Sequence, residues 1–301
     1  MHQTHMNSSC DSRSFDPGAA SVLAAFFIWG LLPIYWKSLS HVSPLVVIMH
    51  RMLWSFVLLS VLLLVQGRLK GACMLLRDKR VCLAVVLCSL LLGVNWLLFT
   101  VAVNSNMIVQ VSLAYFMVPM LNMLNGILLF KERLSGMQWL AVALVVCGIG
   151  VQVVVFGEIP WLALGMSLSW AAYGGVHKAV RYPAMPGFFL ETAALLPVLF
   201  AALMWLQPGS IGSSFTGGLP QGLLLAGGGL VTLVPQILFV FGAQRLRQTT
   251  LGLFQFLAPT LFLLVGVVLY GEHLSSAQQL SFAFIWGAML LYSVSSLRQR
   301  R

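Results

Sequence analysis

The sequence predicts an all-α membrane protein: ten transmembrane helices in two inverted five-helix repeats, with both termini cytoplasmic. Three observations carry the prediction. Hydrophobic residues make up 59% and charged residues 8% of the 301-residue chain, against roughly 45–50% and 25% in a soluble domain. The apolar residues gather into ten runs of about 20 residues, the length at which a helix crosses a bilayer. The positive charges fall between those runs, and almost all on one side.

The first 17 residues are polar and carry Asp11, Arg13 and Asp16. They lack a compact basic n-region, and the run that follows has no small-residue cleavage pattern. Residues 18–37 therefore read as a retained first helix rather than a signal peptide. That run closes on "WGLLPIYWK", Trp29 to Lys37, around Pro33 and Tyr35. The second run, 44–66, holds His50 and Arg51; at 1.5 Å per residue, Arg51 lies about 10 Å beyond Pro44. The third, 82–103, contains Asn95 and Trp96, and the fourth, 109–130, contains Tyr115, Pro119, Asn122 and Asn125. The fifth, 138–157, follows an "ERLS" sequence, and the sixth, 160–179, ends on "WAAYGGVHK", Trp170 to Lys178. The seventh, 187–207, carries Glu191, the one acid inside an apolar run. The eighth, 220–242, includes "LAGGGL" at 225–230 and Pro235-Gln236; such glycine density is tolerated in a bilayer bundle. The ninth, 250–270, has Gln255 and Pro259, and the tenth, 277–297, leads into the basic tail 298–301. Transmembrane strands would be half this length. Short connections predict that helices adjacent in sequence pack as antiparallel neighbours.

The net charge of +10 is a topology signal. With the N-terminus inside, the inner connections hold Arg68, Lys70, Arg77, Lys79 and Arg80, then Lys131 and Arg133, Lys178 and Arg181, Arg245 and Arg247. Arg298, Arg300 and Arg301 add to the same side; only Lys37 and Arg51 fall on the outer half. The positive-inside rule then places both termini in the cytoplasm. No basic domain tracks a phosphate backbone, so nucleic acid is not an expected partner. The cysteines, Cys10, Cys73, Cys82, Cys88 and Cys147, are odd in number and form no CxxC. No metal site or disulfide framework is expected from them, and Cys82, Cys88 and Cys147 read as small apolar fillers.

Internal repetition is specific. "SLAYFMVPMLNMLNGILLFKERLS" (112–135) lies against "LGLFQFLAPTLFLLVGVVLYGEHLS" (251–275) at an offset of 140, matching Phe116 to Phe256, Pro119 to Pro259, Gly126 to Gly266 and Glu132 to Glu272. The Trp29/Trp170 and Lys37/Lys178 pairs stand at an offset of 141. The expected units are a tail over 1–17, one repeat over 18–157, a second over 160–297, and a tail over 298–301. Five helices are an odd number, so the second repeat enters the membrane inverted. Binding near the interface of inverted repeats is a recurring transporter design.

The stretches "WGLLPIYWK", "HRMLWS" (50–55), "NWLLFTVAVN" (95–104) and "AYFMVPMLNMLNGILLFKERLS" carry a family resemblance, as do "ETAALLP" (191–197) and the long run from Leu251 through "GAMLLYS". The chain resembles the EamA branch of the drug/metabolite transporter superfamily, and most closely its RarD-type, "chloramphenicol-sensitive protein" members. The resemblance implies a ten-helix transporter of the bacterial inner membrane. "AAYGGVHK" departs from the bulkier sixth-helix pattern expected of the group.

Candidate path residues are the polar and aromatic groups set inside the apolar runs. Trp29, Pro33, Trp36 and Lys37 share one helical face, and Trp170, Gly174, His177 and Lys178 share the equivalent one. Each lysine either draws an anionic group into the path or snorkels to headgroups. Arg51, with His50 and Lys37, either meets a substrate carboxylate or phosphate, or makes a structural salt bridge or hydrogen bonds to backbone carbonyls. Glu191 either couples protons or pairs with Lys178. Asn95, Trp96, Tyr115, Asn122, Tyr173, Gln236 and Gln255 complete the set, and buried amides can equally hold helices together. Pro33, Pro119, Pro235 and Pro259 interrupt helical hydrogen bonding and are hinge candidates. The "E-x-L-S" glutamates read as caps of the following helix.

No HExxH, GxSxG, P-loop or paired intramembrane acid occurs, so neither an enzyme nor a cofactor is expected. The sequence predicts a secondary carrier of a small metabolite or drug-like molecule, working by alternating access. A membrane-embedded regulator or assembly factor on the same fold is the alternative. Expected partners are that small molecule and the lipid bilayer, with a homodimer left open.

Overall fold

The computed structural model describes residues 16–131, 135–156, 159–209, 218–246, 251 and 254–298, and among these every regular element is helical. The helices are α1 (Pro17–Lys37), α2 (Pro44–Val65), α3 (Lys79–Asn104), α4 (Ile108–Phe130) and α5 (Gly136–Phe156), then α6 (Trp161–Ala179), α7 (Ala184–Leu206) and α8 (Gly218–Ala243). They end with α9 (Leu257–Leu264, continued by a π-helical turn over Val265–Leu269) and α10 (Ser276–Arg298). A short helix, Leu69–Met74, lies between α2 and α3. Most of the expected tails 1–17 and 298–301 fall outside the described residues, as do Glu132, Arg133 and Arg247.

Helix starts follow local chemistry. Asp16 accepts from the Gly18 amide at 2.9 Å, with Pro17 in the first position of α1, where a missing N–H costs nothing. Asp78 does the same for α3 through the Arg80 amide, at 2.8 Å. Ser135 and Gln138 bond each other's amides at the head of α5, and Ser275 and Gln278 repeat the motif at the head of α10. These are reciprocal capping boxes. The cap of the helix after "E-x-L-S" is thus the serine with its glutamine, and Glu272 is used elsewhere, as described below.

By length and composition, α1, α2, α3, α4 (over Ile108–Ile127), α7 and α8 can each cross a membrane. Shorter apolar stretches cover Gly136–Val151 of α5 and Leu257–Leu269 of α9. Ser, Gly, Tyr and His dilute the apolar character of α6, and Ser and Gln that of α10.

The expectation that sequence neighbours pack together is corrected. The most extensive packing joins α5 to α10, α4 to α6, α1 to α8, α2 to α8, α3 to α6 and α2 to α7. Smaller faces join α1 to α9, α4 to α9 and α3 to α7. Partners are chosen by where a backbone can approach closely, which short loops do not determine. Helix α8 shows this best. A Cβ on Gly229 would stand 2.6 Å from the Trp54 Cβ and 2.9 Å from the Ser55 nitrogen of α2. Gly228 receives the Trp36 ring and Gly227 the Tyr35 hydroxyl, both from α1. Small residues permitting such approach are the usual means of joining membrane helices.

Candidate functional site

A cavity of about 280 Å³ lies inside the bundle. Its lining comes from α1 (Trp29), α2 (Arg51), α3 (Trp96), α4 (Tyr115, Pro119), α6 (Trp170, Tyr173), α7 (Phe188), α8 (Thr232, Gln236) and α9 (Pro259), with Gln255 just before α9. Pro119, inside α4, removes an amide from the helical ladder beside the cavity, whereas Pro259 stands in the first turn of α9, where amides lack helical partners. The Pro259 carbonyl accepts from the Ser112 hydroxyl of α4 at 2.8 Å.

Among the described residues, Arg51 is the one charged group on this lining. Its side chain is 5% exposed, and its Nε donates to the Thr232 hydroxyl at 2.9 Å. Thr232 in turn donates to the Gly228 carbonyl of its own helix at 2.8 Å. The guanidinium carbon lies 3.4 Å from the centre of the Trp96 ring and 5.0 Å from that of Trp36. Desolvating such a cation costs on the order of several kcal/mol. A cation–π contact returns about 2 kcal/mol or less even when desolvated. Two rings and one hydroxyl hold the guanidinium in place without offsetting its charge.

The rest of the lining is mostly aromatic. Trp170 stacks on Tyr173 with centroids 5.5 Å apart, and Tyr115 meets Trp170 edge-on at 6.1 Å. Tyr115 is held from behind: its hydroxyl donates to Asn95 Oδ1 at 3.1 Å, and Asn95 Nδ2 donates to the Met166 carbonyl at 2.8 Å. Asn95 is fully buried and ties α3 to α4 and α6, so it positions a cavity residue without lining the cavity.

A second polar cluster adjoins the first through Tyr173. Its hydroxyl donates to Glu191 Oε2 at 3.0 Å, while Glu191 Oε1 accepts from the Tyr182 hydroxyl at 2.8 Å and faces His177 Nε2 at 2.9 Å. Glu191 is fully buried, and its ion pair is with His177, one residue before the lysine the sequence suggested. Burial and the Glu191 carboxylate push the Tyr182 phenol, in the α6–α7 connection, well up. The Cys88 thiol is also here: its sulfur and the ligand atoms of His177 and Glu191 lie within 4.8 Å of one another. Cys88, expected as an apolar filler, therefore sits in polar company.

Other candidates fall away from the cavity. Lys37 Nζ donates to the Val103 carbonyl at 2.7 Å and to Asn106 Oδ1 at 2.6 Å, clasping the end of α3. There it meets the negative pole of that helix. Asn106 holds a left-handed φ of 56° in the tight α3–α4 turn, a conformation asparagine tolerates. Just after that turn, the Ile108 and Val109 amides both donate to Glu272 at 2.8 Å, so Glu272 caps α4 across the bundle. The Tyr35 hydroxyl donates to the Leu224 carbonyl. His50 is buried outside the lining, Lys178 is exposed in the last turn of α6, and Asn122 is exposed with its amide oxygen beside Gly174. Pro33 and Pro235 are buried within α1 and α8, and Pro197, absent from the expected hinges, interrupts α7.

Thr232 and Phe188 were not foreseen as site residues. A signal for Thr232 existed: it stands four residues before Gln236 and so shares its helical face. Phe188 offers no such signal, since one phenylalanine in an apolar run resembles any other.

Comparison with known proteins adds family information. Residues 16–154 match the model of the EamA-like transporter family. The chain is 38% identical over 291 residues to Protein RarD of Salmonella typhi, covering 97% of this chain and 99% of that protein. It is also 38% identical over 288 residues to an uncharacterized transporter of Vibrio cholerae serotype O1, covering 96% and 95%. A Pseudomonas aeruginosa relative, "Chloramphenicol-sensitive protein RarD", is 28% identical over 94% of this chain and 96% of its own. A solved structure described only as "Crystal structure of protein" superposes with a TM-score of 0.58 at 19% identity, covering 96% of this chain and 100% of that one. That likeness concerns the fold alone.

Proposed function

The chain belongs to the EamA-like, drug/metabolite transporter family, among its RarD-type members of the bacterial inner membrane, and from this premise we propose that it is a secondary carrier. It moves a small metabolite or drug-like molecule by alternating access between two inverted five-helix halves, α1–α5 and α6–α10. Both termini lie in the cytoplasm, in keeping with the one-sided lysine and arginine distribution.

The observation that carries the reading is the central cavity, walled by helices of both halves and holding a buried guanidinium among aromatic rings. Cavities of this kind are the usual form of a small-molecule site. Helix packing supports the inverted repeat: exchanging each helix with the one five places along turns α4–α6 into α9–α1, α1–α8 into α6–α3, and α2–α8 into α7–α3. The pairs α5–α10, α2–α7 and α4–α9 exchange into themselves. Lys37 and Glu272 fasten the end of the bundle where α3 finishes and α4 begins, so opening there requires both ties to part.

Reconstitution into proteoliposomes tests this. A screen of bacterial metabolites should find saturable flux, with Trp96→Ala and Arg51→Ala each lowering it by about tenfold or more. Folded protein that moves no compound at either of two pH values would favour the regulator instead.

A further inference from the structure

We infer that the cavity takes an organic anion, a carboxylate or similar singly charged group on a flat apolar body, with Arg51 as its counter-ion. This rests on the carrier reading and names the substrate class of that same site.

Charge on the lining is one-sided. Arg51 is its only formal charge, and among the described residues no aspartate or glutamate contributes to it. The acid that comes closest in the hydrogen-bond network, Glu191, already serves two tyrosines and His177. An ammonium group entering the cavity would meet a cation and no carboxylate. An entering carboxylate would meet a guanidinium that is already dehydrated and oriented.

The orientation is specific. Thr232 uses Nε, and the Trp96 ring lies beside the guanidinium carbon at 3.4 Å. The two terminal nitrogens are then the pair that a carboxylate engages in the two-pronged manner arginine favours. Gln236 and Gln255 supply neutral polar contacts, while Trp29, Tyr115 and Trp170 supply faces and edges for an apolar ring. A volume of about 280 Å³ suits one small ring-bearing molecule rather than a large drug.

The test is equilibrium dialysis of the purified full chain in detergent against three radiolabelled probes of one shape: phenylacetate, its neutral amide phenylacetamide, and cationic phenethylamine. Phenylacetate should bind about tenfold or more tightly than phenylacetamide, with phenethylamine weakest. Arg51→Gln should abolish that preference, and Arg51→Lys should keep part of it. Equal binding of amide and carboxylate, tightest binding of the amine, or binding of none of the three overturns the inference. If Arg51→Gln does not fold, the ranking by the unaltered protein decides alone. Saturable proteoliposome flux of amide and carboxylate alike would overturn the anion assignment and keep the carrier. Carboxylate binding without flux of any probe would keep the anion site and overturn the carrier.

Discussion

Among the described residues, Arg51 and Glu191 are the two buried charges that the apolar helices carry near the cavity, and each is held differently. Arg51 rests on two indole rings and Thr232, whereas Glu191 is saturated by His177, Tyr173 and Tyr182. A saturated buried carboxylate is first a structural group, because removing a partner from such a network exposes the others to loss. Glu191→Gln keeps an acceptor for the tyrosines and removes the charge facing His177. A lower unfolding midpoint in detergent is expected, together with flux whose pH dependence matches the unaltered protein. A changed pH dependence would instead give Glu191 a part in proton coupling. At this scale much of the site was legible, because Trp29, Arg51, Trp96, Tyr115, Trp170, Tyr173, Gln236 and Gln255 all stand out within apolar runs, and all line the cavity. Lys37 stood out equally, yet its side chain reaches the carbonyls at the end of α3. A sequence marks a cation as costly without saying which acceptor relieves it.

Among the elements, α8 sets how closely the bundle closes. Its three successive glycines seat Tyr35, Trp36 and Trp54 from α1 and α2. At Gly229 the neighbours include backbone atoms, which cannot rotate away. Gly229→Ala should therefore lower the thermal midpoint sharply, by an overpacking penalty of about 1–3 kcal/mol or more. Gly222→Ala on the same helix, where no atom lies within 4 Å of the added carbon, should leave it unchanged or raised. Equal effects at both positions would remove close packing as the cause. Helix positions were readable from sequence because apolar runs of about bilayer length stand out between polar connections. Packing partners were not, since they depend on which glycine meets which ring across more than a hundred residues of chain. The π-helical turn at Val265–Leu269 was equally hidden, its residues being ordinary helix formers in a membrane.

The whole molecule is fastened at the end where Lys37 meets Asn106 and Glu272 holds the start of α4. The proposed alternating access would require those ties to open and close. Cysteines placed at positions 37 and 106, in a chain whose Cys10, Cys73, Cys82 and Cys147 are serine, should cross-link through a short bis-maleimide reagent. Flux should then fall by about tenfold or more relative to the same variant before cross-linking; undiminished flux would show that this end need not open. In the proposed repeat, an offset of 141 sets His50 of α2 against Glu191 of α7, so the two halves would carry unlike groups on equivalent helices that pack together. Two conformers related by swapping the halves would share a shape but could not share an energy. An unloaded carrier built this way has a preferred resting side, and its cargo must work against that bias in one direction and with it in the other.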